Sequence, residues 1–221
     1  MTLTSKTCGA VLLAGGQSRR MGSCKALLMV QGETMLSRLC RQLEDFDEKL
    51  LSANDPALVQ GLPLTLVPDF YRGAGPLGGL HAALAATEKE AVFCVPCDLP
   101  NVTKELPRLL LEHFPEEADV MVCRDGNGRI HPLCGIYRKR VLPVIRAQLE
   151  ADERRMRMLL EKVKCAYLDT AEYLPDDTFY NMNTHEDFLF ITEHVCGKDH
   201  GPFPTEAEKS DGTARSTVVF K

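Results

Sequence analysis

Residues 10–16 read Ala-Val-Leu-Leu-Ala-Gly-Gly, and this stretch decides the fold. A short apolar run that ends in paired glycines is typical of a buried parallel strand followed by a ligand-binding loop. Glycine accepts a positive φ and lets a ligand approach the main chain, and bare backbone N–H groups in such a loop can bind an anion. The stretch therefore predicts an α/β sheet whose first loop lies at the edge where ligands bind.

Strand-like and helix-like segments alternate after this loop. Strands are predicted at residues 50–53, 64–67 and 91–97, a glycine loop at 69–79 and helices at 80–87, 142–149 and 156–163. After residue 118 the pattern changes, because strand-like segments flank Asp-Gly-Asn-Gly at 125–128, which predicts an antiparallel hairpin. We expect an α/β fold with helices on both faces of a mostly parallel mixed sheet that carries antiparallel additions.

The chain divides into one domain and a tail. We expect a single domain over residues 1–196, ending in a helix that Thr184 caps. Residues 197–221 contain many charges, three glycines and two prolines but few large apolar side chains, which predicts a flexible tail. Docking of residues 217–220 as an edge strand is the alternative for the end of this tail.

Composition narrows the class of protein. The 26 Lys and Arg residues against 31 Asp and Glu residues give a net charge of −5, which disfavours a large cationic surface for nucleic acid. No apolar run approaches the ~20 residues that span a bilayer, and we expect no secretory signal. The nine scattered cysteines favour reduced, buried thiols. We therefore predict a cytoplasmic protein without nucleic-acid or membrane partners.

The first loop carries positive charge. Arg19, Arg20 and Lys25 follow Gly15 and Gly16, and three cations suit a triphosphate. The spacing matches neither a Walker A loop nor the dinucleotide-binding Gly-x-Gly-x-x-Gly. The alternative is a solvated basic loop with turn glycines. The position of the loop directly after the first strand favours phosphate binding over this alternative.

Acidic and amide side chains follow the later strands. Asp98 comes directly after the strand at 91–97, and Asp69 comes after the strand at 64–67. Mg²⁺ is commonly held by one or two carboxylates together with substrate phosphates, and amide oxygens such as that of Asn183 can add to the set. Each feature also has a structural interpretation: Asp98 as a turn cap, Asp69 in a plain surface loop, and Asn183 at the start of the last helix.

Together these motifs resemble the MobA-like nucleotidyltransferases. The matching segments are 13–16, 20–22, Lys25, Asp69, 75–79, 96–100, 131–132 and 181–184, and the similarity runs from about residue 8 to residue 195. Within the family the chain looks like the molybdenum cofactor guanylyltransferases, because Ala14 is followed by Gly15 and Gly16 where the cytidylyl branch tends to read Ala-Gly. The order and spacing of the motifs are more specific than any one of them.

The resemblance implies a Rossmann-like three-layer nucleotidyltransferase fold and a reaction that uses GTP and Mg²⁺. GMP would pass to the terminal phosphate of molybdenum-molybdopterin with release of pyrophosphate, and cofactor-delivery proteins or molybdoenzyme chaperones would receive the product. A cytidylyltransferase or sugar-1-phosphate nucleotidyltransferase on the same fold is the alternative. A non-catalytic nucleotide-binding module is a third interpretation, which the presence of Lys25 and Asp98 disfavours.

The resemblance also implies site residues. Nucleotide contacts are implied for Leu13, Ala14, Gly15, Gly16, Lys25, Ser52, Asn54, Asp69, Gly78 and Asp98. Catalytic roles are implied for Arg20, Lys25 and Asp98, and Mg²⁺ contacts for Asp98 and Asn183. Family members often have asparagine where this chain has Ser52, so either Asn54 substitutes or that contact is weakened. Contacts to the anionic second substrate could come from His131, Arg154 and Arg155. The alternative is that His131 is a polar residue of the hairpin and that the two arginines lie on a solvated helix face.

Overall fold

The computed structural model describes residues 2–14, 25–30, 32–182, 187 and 218–220. The strands in this part are β1 Cys8–Leu13, β2 Met29–Val30, β3 Glu33–Thr34, β4 Lys49–Ser52, β5 Thr65–Val67, β6 Ala91–Pro96, β7 Val120–Arg124, β8 Ile130–Arg138, β9 Cys165–Asp169 and β10 Val218–Phe220. The α-helices are α1 Met35–Gln42, α2 Gly75–Ala86, α3 Glu105–His113, α4 Leu142–Glu150 and α5 Met156–Leu160.

Eight of these strands form one mixed sheet in the order β10-β9-β7-β8-β6-β1-β4-β5. The strands β5, β4, β1 and β6 run parallel to one another. Strand β8 is antiparallel to both β6 and β7, and β7 is parallel to β9. The predicted mostly parallel sheet and the predicted hairpin are therefore confirmed.

Apolar side chains form a core on each face of the sheet. One cluster joins the sheet to α1 and α3, and the other joins it to α2, α4 and α5. Helix α1 buries Met35, Leu36, Leu39 and Cys40, which recur at helical spacing on one face. The architecture is thus the predicted three layers, with the sheet between two helical layers.

The cysteines of the described segments are buried. Burial raises the pKa of Cys8 to about 12 and that of Cys165 to about 11, so these thiols stay protonated at neutral pH. They act as small apolar core residues, as the sequence predicts.

Helix α2 begins earlier than the sequence predicts. The predicted glycine loop at 69–79 and helix at 80–87 are wrong in their boundary, because the helix already starts at Gly75 with Pro76 in its first turn. Gly78 and Gly79 are buried inside this helix. A Cβ on Gly79 would overlap Oγ of Ser52 and lie 3.1 Å from Cδ2 of Leu13, so glycine there allows close packing on the sheet. Helix α5 ends at Leu160, three residues before the predicted position.

The carboxyl-terminal segment contributes to the sheet. Val218–Phe220 pair antiparallel with β9, with Val219 opposite Tyr167. The edge-strand alternative therefore describes these three residues. The predicted final helix lies outside the described residues except for Asp187, which is helical. Across the described chain, no helix has the length and apolarity needed to span a membrane.

Candidate nucleotide-binding site

Three neighbouring parallel strands end at one edge of the sheet. Leu13, the last residue of β1, lies opposite Ser52 of β4 and Pro96 of β6. The Ala14 N–H donates to the Ser52 carbonyl at 3.1 Å, and the Cys97 N–H donates to the Leu13 carbonyl at 3.1 Å. The first loop and the residues after β4 and β6 therefore begin side by side, as expected for a ligand edge in an α/β sheet.

Asp98 lies at this edge directly after β6. The residue is half-buried, and its Oδ1 atom has almost no exposed surface. Its carbonyl accepts a hydrogen bond from the N–H of Met182 at 2.9 Å, which brings the segment before Asn183 against it. Asn181 in that segment is exposed. The structure thus brings together two of the predicted motifs that are more than 80 residues apart in the sequence.

Asp69 lies beyond the end of β5 and is held by Ser52. The Ser52 hydroxyl donates to Oδ1 of Asp69 at 3.0 Å. The side chain of Ser52 is buried, whereas Asp69 is half-buried. Asn54, the predicted substitute for Ser52 as a nucleotide contact, is exposed. The structure therefore distinguishes the two candidates: the buried Ser52 hydroxyl donates to the Asp69 carboxylate, and Asn54 is exposed to solvent.

The amino terminus of α2 reaches the same edge. The helix starts at Gly75, whose φ is +64°, and no side chain caps its first turn. The first N–H groups of a helix have no partner within the helix, and they favour anions. Gly78 lies in this turn, and a Cβ there would approach Cβ of Ala74 at 2.9 Å and the Tyr71 carbonyl at 3.1 Å. A side chain therefore does not fit at Gly78 without a shift of these neighbours, and the helix presents only main-chain atoms there.

The hairpin supplies a side wall. His131 Nε2 and Oδ2 of Asp125 are 2.9 Å apart, and the His131 ring stacks on Phe179 with centroids 4.1 Å apart. Burial acts to raise the pKa of Asp125, but hydrogen bonds from His131 and from two backbone N–H groups outweigh it, so the pKa lies below its usual value. The carboxylate therefore stays ionised and fixes the histidine ring. Because β8 runs antiparallel to β6, the start of β8 lies at the end where Asp98 follows β6.

The two candidate arginines after α4 have local partners. Arg154 donates to the Gly73 carbonyl at 2.9 Å and pairs with Asp152 at 2.7 Å. Arg155 pairs with Glu153, which lowers the pKa of that carboxyl to about 2. Arg154 thereby ties the loop before α5 to the loop before α2, which is a structural role.

One donor of the kind that Mg²⁺ prefers lies at this edge. Within the described segments no group of three or more His, Cys, Asp and Glu side chains is arranged to hold a metal ion. Mg²⁺ does not need such a group, because it is normally held by one or two carboxylates plus substrate phosphates and water. Asp98 supplies a carboxylate of this kind at the strand end.

Several predicted site residues lie outside the described part of the chain. These are Gly15, Gly16, Arg20 and Asn183. Lys25 begins a 3-10 turn over Lys25–Leu27 at the end of the first loop. Leu13 is buried, so its predicted nucleotide contact would use the main chain.

Sequence reasoning missed three contributors to the site. The sequence indicates only a hairpin turn residue for Asp125, no motif at Phe179, and a loop position for Gly79. A carboxylate six residues before His131 was a usable signal for the first, because both flank one tight hairpin. The other two depend on contacts between distant segments and left no local pattern.

Comparison with known proteins finds relatives over most of the chain. Residues 10–167 match the MobA-like NTP transferase domain. The "probable molybdenum cofactor guanylyltransferase" of Geobacillus sp. (strain WCH70) is 32% identical over 185 residues, which cover 80% of this chain and 94% of that protein. The molybdenum cofactor guanylyltransferase of Syntrophotalea carbinolica is 33% identical over 187 residues, covering 81% and 88%.

A solved structure shows the same fold. It is the molybdopterin-guanine dinucleotide biosynthesis protein A of Archaeoglobus fulgidus, with a TM-score of 0.71 and 21% identity, covering 85% of this chain and 98% of that one. The family match spans more than half of the chain and includes β1, β4 and β6, whose ends build the site. The chain therefore belongs to the MobA-like NTP transferase family, whose members are nucleotidyltransferases.

Proposed function

We propose that the protein transfers GMP from GTP to the terminal phosphate of molybdenum-molybdopterin, with release of pyrophosphate. The observation that carries the proposal is the single sheet edge at which Ala14, Asp69 and Asp98 follow their strands in a chain of this family. Two relatives named as molybdenum cofactor guanylyltransferases are 32–33% identical to this chain over most of their length, and they support the choice of reaction.

Positioning and charge neutralisation account for the catalysis we propose. Attack of one phosphate on the α-phosphorus of GTP brings two anions together, so little covalent chemistry is asked of the protein. Arg20 and Lys25 would hold the β- and γ-phosphates and stabilise the leaving pyrophosphate. Asp98, with Asn183, would hold Mg²⁺, which supplies positive charge to the phosphates when it is bound.

Guanine recognition would use acceptors at the same edge. Guanine presents two donors, the N1–H and the 2-amino group. The Asp69 carboxylate is suited to accept from this pair or from the ribose hydroxyls, and backbone groups of the first loop and of the Gly78 turn are further candidates. Cytosine does not present that pair of donors, so buried acceptors would stay unpaired in its presence.

The proposal also covers the cellular compartment and the proteins that receive the product. The buried thiols support a reducing compartment such as the cytoplasm. We propose that the product passes to cofactor-delivery or molybdoenzyme chaperone proteins, because a bulky dinucleotide made in a surface site must be handed on to be used.

A pyrophosphate-release assay tests the reaction. The purified chain is incubated with Mg²⁺, molybdenum-loaded molybdopterin and GTP, CTP, ATP or UTP in parallel. Each unmade buried hydrogen bond costs ~1–3 kcal/mol, so two predict a preference for GTP of roughly thirty-fold or more. Omission of Mg²⁺ or of molybdopterin should abolish release.

The alternatives give different outcomes in the same assay. Equal or greater turnover with CTP would contradict the guanine assignment and favour a cytidylyltransferase. Turnover that needs a sugar 1-phosphate in place of molybdopterin would favour that second enzyme class. Nucleotide binding without any pyrophosphate release would identify a binding module.

A further inference from the structure

Ser52 lies at the centre of the candidate site without reaching its surface. It ends β4, opposite Leu13 on one side and Val67 on the other. Its carbonyl accepts the Ala14 N–H at 3.1 Å, so its main chain also anchors the start of the first loop. The side chain is 1% exposed, which leaves no surface for direct contact with a nucleotide.

The hydroxyl of Ser52 is used inside the protein. It donates to Oδ1 of Asp69 at 3.0 Å, and among the described residues it is the one hydrogen-bond partner of that carboxylate. Asp69 lies two residues past the end of β5, in a loop whose neighbour Phe70 is 79% exposed. Without the bond, the carboxylate could rotate freely about its side-chain torsions, so the hydroxyl selects one orientation.

Gly79 provides the space for this bond. A Cβ on Gly79 would overlap Oγ of Ser52 and lie 3.2 Å from its Cβ and 3.1 Å from Cδ2 of Leu13. No other residue type fits between α2 and the end of β4 unless Ser52 moves. The glycine, the hydroxyl and the carboxylate therefore form one unit from three separate elements.

We propose that Ser52 is a positioning residue that orients the Asp69 carboxylate for GTP and does not itself contact the nucleotide. The inference rests on the proposed function. One oxygen of Asp69 accepts from Ser52, and the other is thereby directed to the substrate.

Kinetics of GTP use in four proteins test the proposal. These are the wild type, Ser52→Ala, Asp69→Ala and the double variant, assayed for pyrophosphate release at varied GTP with saturating molybdopterin. Loss of one hydrogen bond to a charged group predicts a rise in the KM for GTP of about ten-fold in Ser52→Ala, with kcat within about two-fold. In the Asp69→Ala background, Ser52→Ala should change kcat/KM by less than about two-fold, because the residue acts through the carboxylate.

Thr87→Ala is the matched control. Thr87 is also 1% exposed, and its hydroxyl also donates to a carboxylate, that of Glu48, at the opposite end of α2. Thr87→Ala should lower the melting temperature about as much as Ser52→Ala but leave the KM for GTP unchanged. This separates a loss of positioning from a general loss of stability.

Three outcomes would overturn the inference. An unchanged KM in Ser52→Ala, in a wild-type chain that turns over GTP, overturns it alone. If Ser52→Ala lowers kcat/KM by the same factor in the wild type and in Asp69→Ala, Ser52 acts independently of Asp69, and the inference is also overturned. A wild-type chain that turns over no GTP overturns the proposed function, and the inference with it.

Discussion

The two ends of α2 carry the same three-part arrangement, and only one of them lies at the ligand edge. At the carboxyl edge of the parallel strands, Gly79, Ser52 and Asp69 pack together. At the amino edge, a Cβ on Gly9 would lie 2.5 Å from Oε2 of Glu48, and that same oxygen accepts the Thr87 hydroxyl. Each end thus has a glycine, a buried hydroxyl and a carboxylate.

The difference lies in what the carboxylate has left to bind. Glu48 accepts the Thr87 hydroxyl with one oxygen and the Glu88 N–H with the other at 3.3 Å. Asp69 accepts one hydrogen bond from the described residues, from Ser52. A carboxylate whose two oxygens are both bonded within the fold contributes stability, whereas one with an oxygen to spare at a sheet edge can serve a ligand.

The largest expected effect is a loss of GMP transfer when Asp98, at the carboxyl edge of the parallel strands, is replaced. Asp98→Ala should lower GMP transfer by about 10²- to 10³-fold, because it removes the carboxylate that we propose would hold Mg²⁺, the source of the positive charge that the reacting phosphates need. The melting temperature should fall far less than the activity, since the half-buried residue lies after the strand. Pyrophosphate release and thermal unfolding measure the two quantities.

Glu48→Ala is the control at the amino edge. It should keep full transfer and lower the melting temperature, because it leaves the buried Thr87 hydroxyl without its acceptor. Activity of Asp98→Ala within a few-fold of wild type would contradict the assignment of Asp98 to Mg²⁺ and phosphate.

A smaller effect is expected from filling the glycine positions. Gly79→Ala should lower stability by about 1–2 kcal/mol, because overpacking costs of ~1–3 kcal/mol exceed the gain in helix propensity of up to ~1 kcal/mol. For a chain of this size that is roughly 2–8 °C in melting temperature. The KM for GTP should also rise, because Ser52 must move away from Asp69.

Gly9→Ala sharpens the comparison. The atom it meets is the far end of the flexible Glu48 side chain, which can shift at low cost. The variant should therefore lose less stability than Gly79→Ala and keep the wild-type KM. A higher KM in Gly9→Ala would show that the two ends of α2 do not act separately.

The last expected effect is confined to acid pH and comes from the middle of α2. His81 is 4% exposed, packs edge-on against the Tyr71 ring, and has no hydrogen-bond partner for its ring nitrogens within the described chain. Burial, with a further contribution from Arg146, holds the pKa of His81 below its usual 6.5. The unfolded chain then binds more protons than the folded one as the pH falls through 6.5, so stability is lost on the acid side.

Replacement of this histidine tests the pH dependence. Denaturant unfolding of His81→Phe and of the wild type is compared between pH 5 and pH 8. Below about pH 6.5 the wild-type slope should exceed that of the variant by up to about 1.4 kcal/mol per pH unit. Identical slopes would show that His81 does not contribute to the loss of stability in acid.

The sequence by itself determined the fold class and most of the edge residues. Residues 10–16, the strands that follow and the hairpin have periods and turn residues that act within a few positions, so they can be predicted locally. Asp98 and Asp69 could be placed because the carboxyl ends of parallel strands share one edge.

Only the tertiary structure decided what the glycines and hydroxyls do. Whether residues 75–79 form a loop or a helix depended on the space beside Ser52 and Leu13, which residues far along the chain define. The pairing of Val218–Phe220 with β9 and the stacking of His131 on Phe179 likewise join segments that are distant in sequence. Such contacts are selected by packing and by the satisfaction of buried polar groups, and neither leaves a periodic trace in the sequence.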